Sequence, residues 1–212
     1  MTENTATKLT PLPADLGNRW FKKYPELGTG PISADPVISR KWFEWERDYI
    51  FKKCWLNIGT ADEIPNVGDY IVREIQAAKA SVLVVRAKDG AIRAFHNVCR
   101  HRGNKLVWDY KGNKKGANWA CKFHGFVYGD DGKLKFVPEE KNFSEPLCGK
   151  LSLVPVECGV RFGFIFINLD SSPDEDLDEF LGPISAHLSD YPFESLPHRF
   201  HYQSYQRSNW KL

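Results

Sequence analysis

Cys99-Arg100-His101-Arg102-Gly103 and Cys121-Lys122-Phe123-His124-Gly125 decide how this chain is read. The first is a C-x-H pair and the second a C-x-x-H pair, each followed closely by a glycine. Thiolates are soft, strongly donating ligands that suit ferric iron and bridging sulfide, whereas neutral imidazole donates less and leaves its iron easier to reduce. Two of each are enough to hold one [2Fe-2S] cluster, with Cys99 and Cys121 on one iron and His101 and His124 on the other. Each imidazole then keeps its second N–H near the surface, as a hydrogen-bond donor or an electron exit. The residues point to electron transfer. The competing reading is a structural zinc site, because four Cys and His ligands in two pairs also satisfy tetrahedral zinc. The tight C-x-H pair, the long insertion between the pairs and a mostly strand-like chain count against it.

A chain of 212 residues can bury a real core without disulfides, so the metal is a functional addition and not a staple. Of the 5 cysteines, Cys54, Cys148 and Cys158 remain outside the ligand set, an odd and scattered group that reads as ordinary thiols in a reducing compartment. The N-terminus has no apolar signal region, and the longest apolar run, Phe162 to Leu169, is far below the roughly 18 residues that span a bilayer. A soluble, cytoplasmic protein is expected. The net charge of +2 implies no general affinity for nucleic acid or membrane. Arg100, Arg102, Lys105, Lys114, Lys115 and Lys122 nevertheless cluster in or between the ligand segments. They form either a basic collar that steers an acidic redox partner or a merely solvated loop.

Residues 1–34, rich in Thr, Pro and Gly, read as an extended arm. Asp35-Pro36 then opens a helix over 35–54, with an acidic cap and proline in the first turn. Ile38, Trp42, Trp45 and Tyr49 follow at helical spacing, a stripe expected to pack as core. From Trp55 to Leu169 the chain changes to short runs of Val, Ile, Phe and Tyr broken by Gly, Asn, Asp and Pro. Strands are predicted over Trp55–Gly59, Asp69–Glu74, Ser81–Ala87, Ala91–His96, Ala117–Ala120, Phe126–Tyr128, Lys133–Phe136, Val154–Cys158 and Arg161–Asn168. Asp89-Gly90 and Asp131-Gly132 mark tight hairpins. The result is a mainly β chain, a small antiparallel barrel or sandwich with both ligand pairs at loop tips. The ligand-loop glycines are expected where backbone passes close to the cluster. Leu177, Phe180, Leu181, Ile184 and Leu188 keep helical spacing across a break at Gly182-Pro183, and His198 to Asn209 alternates like a strand.

Ala94-Phe95-His96-Asn97-Val98-Cys99-Arg100-His101-Arg102-Gly103 with the downstream Cys121-x-x-His124-Gly125 resembles the Rieske domain of aromatic-ring-hydroxylating oxygenase large (alpha) subunits. Gly163 to Asp170 is similar to the strand that closes that domain, and Asn209-Trp210-Lys211-Leu212 to the approach to the family's catalytic domain. The resemblance implies a Rieske [2Fe-2S] domain over 55–170 and the start of a truncated catalytic domain over 171–212. It implies a ferredoxin or flavin reductase as electron donor, a trimeric whole enzyme with or without a beta subunit, and a mononuclear iron in the part that would follow. The remaining histidines, His96, His187, His198 and His201, make no convincing facial triad, and no catalytic residue is assigned. This part alone is not expected to hydroxylate a substrate. The alternative is a stand-alone Rieske ferredoxin, which would not need the aromatic helix before the barrel or the tail after it.

Two positions depart from the family pattern, Lys122 in place of a proline and Phe126 in place of a tryptophan. Phe126 also fills the place where high-potential respiratory Rieske proteins carry a serine hydroxyl bonded to a cluster sulfur, while Tyr128 occupies the place of a tyrosine that donates near the cysteine. A missing donor to sulfur destabilises the reduced, more negative cluster. The potential therefore falls in the lower part of the Rieske range of about −150 to +300 mV. We predict a midpoint below zero, to be measured by redox titration; a clearly positive value would count against the oxygenase subtype.

Overall fold

The computed structural model describes residues 24–28, 30–196 and 204–212. Two short helices, α1 (Asp35–Ile38) and α2 (Arg40–Glu46), lead into a wider π-type turn over Arg47–Phe51. The strands are β1 (Leu56–Thr60), β2 (Asp69–Ile75), β3 (Ala80–Arg86), β4 (Ile92–His96), β5 (Lys111–Asn113), β6 (Asn118–Ala120), β7 (Val127–Gly129), β8 (Leu134–Phe136), β9 (Pro155–Arg161) and β10 (Phe164–Asn168). Two more helices follow, α3 (Leu177–Leu181) and α4 (Ile184–Leu188). The strands form an antiparallel sheet of seven in the order β1-β10-β9-β4-β3-β2-β5 and a second of three, β6-β7-β8.

The centre of the large sheet is covered on both faces. Successive residues of a strand point to opposite sides, so Tyr70, Val72, Leu83, Val85 and Phe95 enter one core while Ile71, Val82, Val84 and Ala94 enter another. The first core also holds Cys99, Cys121, Trp119, Phe126 and Tyr128, which ties the ligand loops to the sheet. The second packs against Ile58, Ile64, Ile165 and Ile167. This double burial explains the unbroken apolar run Val82-Leu83-Val84-Val85. Leu177 and Leu181 of α3 close a third, smaller cluster on Trp55.

The mainly β architecture and both tight hairpins agree with the sequence reading. Four local expectations do not. β9 runs on to Arg161, and a turn at Phe162-Gly163 makes β9–β10 a hairpin where one strand over Arg161–Asn168 was expected. β5, Lys-Gly-Asn on an exposed edge, has no apolar pattern to announce it. The helix over 35–54 is interrupted at Ser39, whose ψ of 125° is extended and whose hydroxyl caps α2 by accepting from Trp42 N at 3.4 Å. Asp35 lies inside the first turn instead of capping it; the N-cap is Ala34.

The aromatic stripe on this helical segment is also placed differently. Ile38, Trp42, Trp45 and Tyr49 are exposed, with Trp45 stacked on Tyr49 at 5.2 Å. The inward side is built from Phe43, Glu46, Arg47 and Ile50, a second set that also shares one helical face. The C-terminal residues supply the reason. Asn209 Nδ2 donates to Val37 O at 2.8 Å, Trp210 Nε1 donates to Glu46 Oε2 at 3.1 Å, Lys211 Nζ pairs with Glu46, and Trp210 meets Phe51 edge-on at 5.3 Å. Residues 204–209, expected to continue a strand, are not in one; the earlier part of that expectation, including His198 and His201, lies outside the described residues.

Glu46 is thus a buried carboxylate satisfied by two donors from the tail. The Lys211 ammonium, opposed by burial and helped by the Trp210 N–H, holds its carboxyl below the usual range. A carboxyl depressed in the folded state contributes stability above its unfolded pKa of about 4.3, and that contribution is lost as pH falls through the folded value. The protection of residues 209–212 against hydrogen exchange, relative to the intrinsic rate at each pH, is therefore expected to hold from neutral pH down to about 4.3 and to fall in stronger acid. Glu46→Ala is expected to release Trp210 already at neutral pH, read by its fluorescence.

Candidate metal centre

The first ligand pair lies in the connection from β4 to β5, the second in the turn from β6 to β7. Both close in the same way. Cys99 O accepts from Gly103 N at 3.0 Å, and Cys99 N donates to Asn104 O at 2.8 Å. In the second loop Cys121 O accepts from Gly125 N at 3.0 Å, and Cys121 N donates to Phe126 O at 2.8 Å. Gly103 and Gly125 share a φ of +72°, left-handed backbone that glycine adopts without steric cost. A Cβ added at Gly103 would meet nothing within 4 Å. The left-handed backbone by itself calls for glycine at that position.

Asn97, fully buried, braces the base of the first loop. Its side chain accepts from Val107 N at 2.8 Å and donates to Val107 O at 2.7 Å and to Ser81 Oγ at 3.1 Å. The residues between Asn97 and Val107 are thereby held as one closed unit against β3.

The two loops bring all four predicted ligands together. Cys99 and Cys121 are buried at 2% and 3% exposure, and the rings of His101 and His124 meet edge-on at 4.7 Å. The imidazoles are not equivalent: His124 is exposed, whereas His101 is half-buried and stacks on Phe126 at 4.6 Å with the rings 6° from parallel. The Nδ1 atom of His101 is buried without a hydrogen-bond partner. Such an orphan is costly unless something else takes the lone pair. Burial lowers the His101 pKa, helped by the nearby charges of His124 and Arg102, so the ring is held neutral, as a metal ligand requires.

The sulfurs have their own partners. Tyr128 OH lies 3.3 Å from Cys99 Sγ and accepts from Arg100 N at 3.0 Å. Burial pushes the Cys99 thiol up; at Cys121 burial is outweighed by backbone N–H groups of Phe123 and His124, and the thiol falls below its ordinary value. Buried thiols on the core side and imidazoles on the outer side fit a [2Fe-2S] cluster bound two and two.

Of the basic residues around the loops, Arg100, Arg102, Lys114, Lys115 and Lys122 are exposed. Lys105 is instead paired with Glu74 at 2.7 Å and lies over the Trp108 ring. Of the remaining histidines, His187 is exposed on α4 and His96 is half-buried, its pKa lowered by burial.

Residues 54–156 match the Rieske [2Fe-2S] domain family. The chain carries a Rieske [2Fe-2S] domain. The chain is 34% identical over 182 residues to the glycine betaine monooxygenase oxygenase subunit of Chromohalobacter salexigens, covering 86% of this chain and 39% of that protein. It is 38% identical over 163 residues to the biphenyl 2,3-dioxygenase subunit alpha of Rhodococcus jostii, covering 76% and 34%. A solved quaternary ammonium Rieske monooxygenase superposes with a TM-score of 0.67 at 28% identity, over 74% of this chain and 41% of that one. The relatives are Rieske oxygenases, and this Rieske chain corresponds to less than half of their length. Their names include a quaternary ammonium substrate beside an aromatic one, so the expectation of aromatic-ring hydroxylation is not shown, and what the comparisons support is the coarser likeness to Rieske oxygenases.

Sequence reasoning identified Tyr128 but not Asn97, Asn104 or Phe143, which packs edge-on to Phe126 at 6.3 Å. Nothing in their spacing marks them; each acts through a fold contact. Tyr128→Phe removes the hydroxyl from Cys99 and strands the Arg100 N–H. The expected result is a more negative Rieske midpoint potential, with a stability loss of about 1–3 kcal/mol, measured by redox titration and thermal melting.

Proposed function

We propose that Cys99, Cys121, His101 and His124 hold the [2Fe-2S] cluster, and that this chain is the electron-accepting part of a Rieske oxygenase alpha subunit. The observation that carries the reading is the convergence of two buried thiols and two imidazoles, one of them with an unsatisfied buried Nδ1. When bound, the cluster supplies a one-electron store of intermediate potential. The protein's part is to keep the sulfurs dry, hold His101 neutral against Phe126, and leave His124 exposed beside Phe123, whose ring lies 3.8 Å away.

In the whole enzyme the electron donor is a ferredoxin or flavin reductase, drawn by Arg100, Arg102 and Lys122 around the exposed histidine. The acceptor is a mononuclear iron in a catalytic domain, in a neighbouring subunit of a trimer; inter-subunit electron transfer is described for the related quaternary ammonium monooxygenase. We assign 55–170 to the Rieske domain, and 171–212 to the start of that catalytic domain. The tail pinned on Glu46 supports this division, since Trp210 and Lys211 pack on the helix that precedes the domain. Among the described residues no helix is long and apolar enough to cross a membrane.

The test is to purify the chain and measure iron, acid-labile sulfide and the EPR spectrum after reduction. Two irons and two sulfides per chain are expected. Cys99→Ser, Cys121→Ser, His101→Ala and His124→Ala should each lose most of the cluster. Zinc in place of iron, or full retention of the cluster in these variants, would refute the assignment.

A further inference from the structure

Gly103-Asn104 and Gly125-Phe126 occupy corresponding places in two loops that close with the same pair of hydrogen bonds. From these places each loop reaches across to a ligand of the other. Phe126, after the second glycine, stacks on His101 of the first loop. Asn104, after the first glycine, sends its side chain to Cys121 of the second, with Nδ2 at 3.8 Å from Sγ. The same Nδ2 donates to Lys105 O at 2.8 Å. Because the Lys105 carbonyl only accepts, the NH₂ end of the amide must face it, and the second N–H is left for the sulfur. The Asn104 backbone carbonyl, meanwhile, holds the Cys99 amide. One half-buried residue therefore touches both cysteines of the site.

The distribution of side-chain donors is then one per cysteine, Tyr128 on Cys99 and Asn104 on Cys121. An N–H directed at a thiolate sulfur favours the state with more negative charge on the cluster, which is the reduced one. We propose that Asn104 is a positioning and tuning residue that donates across the two ligand loops to Cys121 Sγ and raises the reduction potential of the cluster. This restores part of what Phe126, with no hydroxyl to offer, leaves out. The inference rests on the cluster assignment above.

The test compares the cluster-loaded chain with Asn104→Leu and Asn104→Asp, each keeping the backbone carbonyl and nearly the side-chain volume. Cluster content, the EPR spectrum and the midpoint potential are measured. At a solution potential equal to the wild-type midpoint, Asn104→Leu is expected to lower the reduced-to-oxidised ratio about three- to tenfold, tenfold being about 59 mV for one electron. Asn104→Asp, which turns a carboxylate toward the sulfur, is expected to lower it further. Unchanged potentials at full cluster content would overturn the proposal. Loss of the cluster from both variants would overturn it too, in favour of a role confined to holding the loops. Absence of a cluster from the wild-type chain would instead refute the cluster assignment itself.

Discussion

Everything at this site depends on one closed turn made twice. In each loop the cysteine carbonyl accepts from a left-handed glycine four residues on, and the cysteine amide donates to the carbonyl after that glycine. The turn fixes where a thiol leaves the backbone and leaves room for a histidine at either the second or the third position. A C-x-H and a C-x-x-H motif are thus the same backbone device with the imidazole moved by one residue. Two copies facing each other suit a cofactor with two metal centres, because each copy can supply one ligand to each iron.

Such loops have low intrinsic order, so their precision comes from what they stand on. The cysteines belong to the same core as Leu83, Val85 and Phe95, the middle strands of a sheet buried on both faces. Asn97 adds a polar clamp, fully paired and therefore favourable inside that core. The cross-loop contacts, Phe126 on His101 and Asn104 on Cys121, then couple the two copies. A shift of one loop is felt by a ligand on the other, which is how a rigid platform keeps a cluster site within narrow geometric limits.

The candidate ligands were legible because their chemistry is local: thiol and imidazole at fixed spacing beside a glycine. Most strands were legible for a similar reason, being short apolar runs bounded by turn residues. The exposed edge strand Lys111–Asn113 was not, since an edge held by backbone bonds to β2 and by the Asn113 side chain on Asp69 needs no apolar face. The Ile38, Trp42, Trp45 and Tyr49 stripe misled for the opposite reason. Helical spacing shows that residues share a face but not which face turns inward, and here the burial of Glu46 under Trp210 and Lys211 chose the other one.

The sequence by itself determined the candidate ligand set and the alternation that builds a β protein, because these depend on side-chain chemistry and patterning within a few residues. Only the tertiary structure decided the asymmetry of the site. Which imidazole is exposed, which sulfur receives which donor, and which face of the leading helix is covered all depend on contacts between segments far apart in the chain. Tyr128 lies 29 residues from Cys99, and Trp210 lies 164 residues from Glu46. No local pattern encodes such distances; they follow from the way the sheet brings its loops and ends together.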